Sequence, residues 1–271
     1  MHKLDIGRTR FRELISEALE AQPILPLVHG SDAFKFLNAI EDGELRPQPC
    51  DVFIGESLLY FFYGRPSYRA NGDAEPTSLA HYLPILLILK ANLARNVRRM
   101  FPFDSGAFNR GFYATYLHHG MKIGDFGLEV AASTPGKLIT AFFGDPSSYL
   151  RAEPRPALDL PPEQMEAVSF QSIVAARDAN SLDSRGAAIE IQSAEPVSLK
   201  EHVQAVILPA PFVERGSTAT KLQALNIQPI PYMVHGRTRP SEYVTTITDL
   251  CYRYYLEIGL FKPGEIDAGS R

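Results

Sequence analysis

Residues 27–31, Leu27-Val28-His29-Gly30-Ser31, are followed by an amphipathic segment, by Gly43-Glu44-Leu45-Arg46-Pro47, and then by Gly55-Glu56-Ser57-Leu58-Leu59-Tyr60-Phe61-Phe62-Tyr63-Gly64-Arg65-Pro66-Ser67-Tyr68. Between the two apolar runs, Phe34, Phe36, Leu37 and Ile40 recur at helical spacing, Ser31 and Asp32 offer caps, and Gly43 stands where a helix would end. The order is therefore strand, helix, turn, strand. His29 falls at the end of the first strand, where imidazole, an approachable glycine backbone and a hydroxyl follow one another. Tyr60 supplies a flat aromatic face on the second.

Outward from this stretch, the chain of 271 residues is 45% hydrophobic and 21% charged, enough apolar material for one large or two small globular domains. Its net charge of -4 gives no overall positive field for nucleic acid. No apolar run approaches the roughly 18 residues of a spanning helix. The longest, Tyr82-Leu83-Pro84-Ile85-Leu86-Leu87-Ile88-Leu89, reads as a buried strand, with helix as the alternative. The opening residues lack a secretory h-region, and Cys50 and Cys251 form neither a disulfide framework nor a zinc motif. A cytoplasmic setting, without membrane attachment, is the expectation.

A first helix is expected over residues 9–21, ended by Pro23 and Pro26. Residues 70–76 form a turn-rich linker. A single domain over 1–271 is expected, with residues 92–165 as an insertion that carries the basic run Arg95, Arg98 and Arg99 and the turn Phe101-Pro102-Phe103-Asp104-Ser105-Gly106. The basic run reads as a solvated helix face or as an acceptor-binding surface, and the turn as a loop over a site. Pro146, Pro154, Pro156, Pro161 and Pro162 mark residues 145–162 as an exposed connection. Gly186 to Gln192 alternates as a strand would, and Val203 to Pro209 reads as a more buried strand that can pair with it as a hairpin. An amphipathic helix follows Pro240 and Ser241, with Tyr243, Ile247, Leu250, Cys251, Tyr254 and Tyr255 inward.

The series His-Gly-Ser, helix, Gly-x-Leu-Arg-Pro and Tyr-Phe resembles the NAD-binding half of ADP-ribosyltransferases of the diphtheria-toxin and poly(ADP-ribose) polymerase type. Residues 59–66 also resemble the DarT-type DNA ADP-ribosyltransferases, and the two subfamilies stay open. The resemblance implies an α+β fold in which two packed, mainly antiparallel sheets form an NAD cleft. In it, His29 contacts a ribose hydroxyl, Gly30 and Ser31 hold the nicotinamide amide, and Tyr60 stacks on the ring. A second aromatic falls to Tyr63 or Tyr68, with Tyr68 at the more family-like spacing. Arg65 would contact phosphate or the acceptor, and a planar guanidinium suits a pyrophosphate.

The family's glutamate falls on Glu190 in Ala188-Ile189-Glu190-Ile191-Gln192. A carboxylate answers the positive charge that develops on the sugar as nicotinamide departs. Ala188 stands where many relatives carry Gln or Glu, and the long gap between Tyr60 and Glu190 departs from the pattern. An aromatic core strand is the plain reading of residues 60–63, and an outward edge-strand residue that of Glu190. The implied activity is NAD-dependent transfer of ADP-ribose to a macromolecular acceptor, protein or nucleic acid. A non-catalytic NAD-binding module and an NAD glycohydrolase are the alternatives. Toxin-like relatives add growth inhibition and an inhibitory partner protein to what the resemblance implies. NAD would be a consumed substrate, since no phosphate-binding or dinucleotide-binding glycine motif is present. No metal is expected, because no His pair has the helical spacing of a zinc site.

Overall fold

A computed structural model describes residues 5–67, 74–91, 97–156, 158–176 and 184–266. The class is mixed α+β, built on a mainly antiparallel sheet. The first helix, α1 (Arg10–Ser16), is shorter than expected and buries Phe11 and Ile15. After it come β1 (Leu27–Asp32), α2 (Ala33–Asp42), β2 (Glu44–Leu45), β3 (Gln48–Pro49), β4 (Ser57–Tyr63) and β5 (Pro84–Leu89). Asp32 caps α2 by accepting from the Lys35 amide at 2.8 Å, and Gly43 ends it at φ 75°, a left-handed backbone that glycine adopts without strain.

Within the expected insertion, the described residues 97–156 and 158–165 contribute a strand to the main sheet. Val97–Phe101 forms the strand β6, which carries Arg98 and Arg99, and helices α3 (Ser105–Asn109), α4 (Thr134–Phe142) and α5 (Pro146–Leu150) follow. Arg98 and Arg99 thus lie on a strand rather than a helix face, while Arg95 lies outside the described residues. The proline-rich stretch is only partly a connection, because Pro146 opens α5 and Tyr149 is wholly buried. Further on lie α6 (Met165–Ala175), β7 (Glu190–Ser193), β8 (Val197–Ser198), α7 (Leu199–His202) and β9 (Val203–Pro209). The chain then forms α8 (Pro211–Glu214), α9 (Thr218–Ala224), β10 (Gln228–Tyr232) and α10 (Val244–Glu257).

The main sheet runs β10-β9-β5-β1-β4-β7-β6, with β3 also against β4. Every neighbouring pair is antiparallel except β9 with β10. β5, expected as a buried strand, is buried at every position because it has β1 on one side and β9 on the other. The expected hairpin of the two late strands does not form: β7 pairs with β4 and β6, and β9 with β5 and β10. Nor are there, among the described residues, two comparable sheets packed face to face. The second sheet is a short ribbon of β2 and β8, and eight strands form the first.

Helices α1, α4 and α6 meet around Phe11, Phe126, Phe142 and Phe170, whose rings contact one another edge-on or tilted. Phe103 joins this cluster through Phe126 and Phe170, anchoring the segment just after β6. On α10, Ile247, Cys251, Tyr254 and Tyr255 are buried, as their spacing predicts. The Tyr255 hydroxyl donates to the carbonyl of Gly64 at 2.9 Å, fastening the end of β4. Gly64 itself has φ 70°, and a Cβ there would meet Leu25 at 2.5 Å, so only glycine fits the turn.

Candidate active site

A break in the main sheet makes the site. β1 pairs with β5 through six consecutive registers, from Leu27↔Leu89 to Asp32↔Pro84. With β4 it registers only at Leu27↔Tyr63 and Val28↔Phe62. At His29 the two strands part, and its Nδ1 donates to the Tyr60 carbonyl at 2.8 Å across the opening. That carbonyl only accepts, so Nδ1 carries the hydrogen and Nε2 is left as an acceptor. Burial holds the imidazole pKa below its usual value, which favours the neutral ring.

A cavity of about 380 Å³ opens at this break, lined by His29, Gly30, Cys50, Tyr60, Asp104 and Glu190 among others. Three neighbouring strands, β1, β4 and β7, therefore bring His29, Tyr60 and Glu190 to one space. A second cavity of about 470 Å³ shares His29, Gly30, Pro49 and Tyr60 with the first and continues along α2 past Ser31, Phe34, Lys35 and Asn38 to Arg46. Both fall within the roughly 300–1,000 Å³ typical of small-molecule pockets.

Tyr60 is fixed at both ends. Its carbonyl receives His29, and its hydroxyl lies 2.6 Å from Cys50 Sγ. That sulfur in turn accepts from the amides of Val52 at 3.3 Å and Phe53 at 3.1 Å. Burial, then the bond to Cys50, raises the phenol pKa far above its normal range, so the ring stays uncharged.

Glu190 is 1% exposed, on a strand that has β4 on one side and β6 on the other, not on an edge. Oε2 accepts from the Ser105 amide at 2.9 Å. Oε1 accepts from the Ser105 hydroxyl at 2.7 Å and from Gln192 Nε2 at 2.6 Å. Burial, followed by the charge of Asp104, pushes the carboxyl pKa up to about 8 against these donors. Asp104 caps α3 through the Ala107 amide at 2.6 Å and pairs with Arg185 Nη1 at 3.5 Å. The turn expected to lie over a site does reach this cavity, through Asp104 and Gly106.

Of the remaining expected residues, Ser31 lines the larger cavity and not the one holding Glu190. Arg65 lines neither. It is 7% exposed, donates to the Ala187 carbonyl at 3.2 Å and lies 5.6 Å from the Tyr149 ring, so its charge is spent inside the fold. Tyr63 is a core residue whose hydroxyl accepts from the Leu25 amide at 2.9 Å. Tyr68 lies outside the described residues. Sequence reasoning missed Cys50, Ser105 and Gln192. Gln192 was within reach, because alternation on a strand puts residues 190 and 192 on one face.

Among the described residues no group of three His, Cys, Asp or Glu side chains is placed to hold a metal ion. Nor is any helix among them long and apolar enough to cross a membrane. No family model and no curated protein matches the sequence.

Proposed function

We propose that this chain is an NAD-dependent ADP-ribosyltransferase that breaks the bond between nicotinamide and ribose and passes ADP-ribose to a macromolecular acceptor. One observation carries the reading: His29, Tyr60 and Glu190, singled out by resemblance from three separate segments, line a single cavity where the sheet opens. Nicotinamide riboside would occupy this cavity, with its ring against Tyr60. The larger lobe beside α2 has room for the remaining adenosine diphosphate, and Lys35 and Arg46 on its wall suit the pyrophosphate.

The residues divide the work by charge state. Neutral His29, with Nε2 as acceptor, takes a hydrogen bond from a ribose hydroxyl and orients the sugar. Tyr60, held by Cys50, presents an uncharged face to the departing ring. Glu190, once ionised, would stabilise the cation-like sugar of the transition state. The acceptor nucleophile then forms its bond to the ribose carbon that held nicotinamide as that carbon–nitrogen bond breaks; nicotinamide leaves with the electron pair as the neutral base, and the proton of the acceptor group passes to solvent.

Incubation with NAD labelled in the adenylate half, with and without cell lysate, tests the reading. Nicotinamide release with labelled macromolecule is the expected result. Free ADP-ribose alone would identify a glycohydrolase, and tight NAD binding without release a recognition module. Turnover at the wild-type rate in Glu190→Ala would remove Glu190 from the chemistry.

A further inference from the structure

Gln192 is wholly buried and stands opposite Arg99 in the register of β6 with β7. Its amide has an oxygen at one end and an NH2 group at the other, and its neighbours decide which faces where. Arg99 can only donate, and its Nη1 lies 3.3 Å from Gln192 Oε1, so the oxygen belongs on that side. The NH2 group is thereby turned to Glu190 Oε1 at 2.6 Å and to Ser105 Oγ at 3.3 Å. Ser105 Oγ, already receiving a hydrogen from Gln192, directs its own to Glu190. All three groups bonded to Glu190 therefore present hydrogens, and a carboxylate is the form that accepts from every one of them.

The outer end of this arrangement is firm. Arg99 pairs with Asp5 and Glu56 and lies 4.1 Å above the Phe53 ring. We infer that Gln192 is a positioning residue: braced by Arg99, its amide favours the ionised form of Glu190 and so lowers the pH above which the site works. The inference builds on the proposed role of Glu190 in breaking the nicotinamide bond.

Other charged or titratable groups reach Glu190 from the elements around it. Asp104, at the start of α3, opposes its ionisation and is itself paired with Arg185. Tyr60 from β4 and His29 from β1 share the cavity as uncharged groups. Arg99 from β6 acts through Gln192. Hydrogen bonds from Gln192 and Ser105 are what work against burial and Asp104.

The test follows the infrared band of the protonated Glu190 carboxyl, identified by its loss in Glu190→Gln, beside the pH profile of nicotinamide release. Gln192→Leu removes the donor. Gln192→Glu is isosteric, can pair with Arg99 and preserves the packing of β7. Both variants are expected to move the carboxyl titration and the acid limb of kcat upward by about one pH unit or more, roughly a tenfold loss on the acid side that narrows at high pH. The shift in Gln192→Glu should be the larger, since it adds a second carboxyl group. An unchanged carboxyl titration in either folded variant, Gln192→Leu above all because it adds no charge, overturns the inference, whatever happens to Tm. Absence of nicotinamide release from the wild type would instead overturn the functional reading, and the infrared titration would still decide the role of Gln192.

Discussion

β1 has two sides that could hardly differ more. Towards β5 it is zipped along its whole length, and the partner strand is apolar and buried throughout. Towards β4 the ladder stops after Val28, and a cavity with His29, Tyr60 and Glu190 on its walls takes its place. The contrast teaches that the same strand is a continuous scaffold on one edge and the wall of a cavity on the other. Rigidity on the β5 side holds His29 in place while the β4 side stays open.

Substitutions on the two sides should separate chemistry from stability. The largest effect is expected from Glu190→Ala, which should slow nicotinamide release by about 10²–10³-fold or more while the protein still melts cooperatively. On the zipped side, Ile88→Ala deletes a side chain of 0% exposure and should cost about 2–5 kcal/mol in urea unfolding. The fraction that remains folded should turn over at the wild-type kcat. Loss of kcat in that folded fraction would erase the contrast.

A pH series sharpens it. The Glu190 carboxyl rises from an ordinary value of 4.5 to about 8 in the folded protein. Between those two values the folded state holds a proton that the unfolded chain has released, so wild-type stability should fall as pH rises through that window. Glu190→Gln escapes the loss, and its Tm should gain on the wild type from pH 5 to pH 8 and then level off. A constant difference would mean that burial of Glu190 is relieved in solution. The smallest effect belongs to Cys50→Ala, which frees the Tyr60 hydroxyl. KM for NAD should rise several-fold, in line with about 0.5–1.5 kcal/mol for one hydrogen bond, with kcat little changed.

The regular parts of this fold were legible because their signals are local. Asp32 and Gly43 bracket α2, the run at 84–89 is a strand, and the tyrosines of α10 keep helical spacing. Pairing was not, since which strand joins which depends on contacts between distant segments, and the two late strands accordingly found separate partners. Arg65 illustrates the limit at the site: its neighbour Gly64 turns the chain, and the guanidinium enters the core instead of the cleft. Ser105 illustrates the reverse. Its bonds to Glu190 span 85 residues, a separation at which no spacing rule operates.

The position of β7 also bears on when the cavity is complete. β7 slots between β4 and β6, both of which are synthesised well before it. Until residues 190–193 leave the ribosome, the sheet has a vacant lane where Glu190 will lie, and the carboxylate cannot meet His29 or Tyr60. On the proposed function, the cavity that takes NAD would thus be incomplete until this late strand has docked.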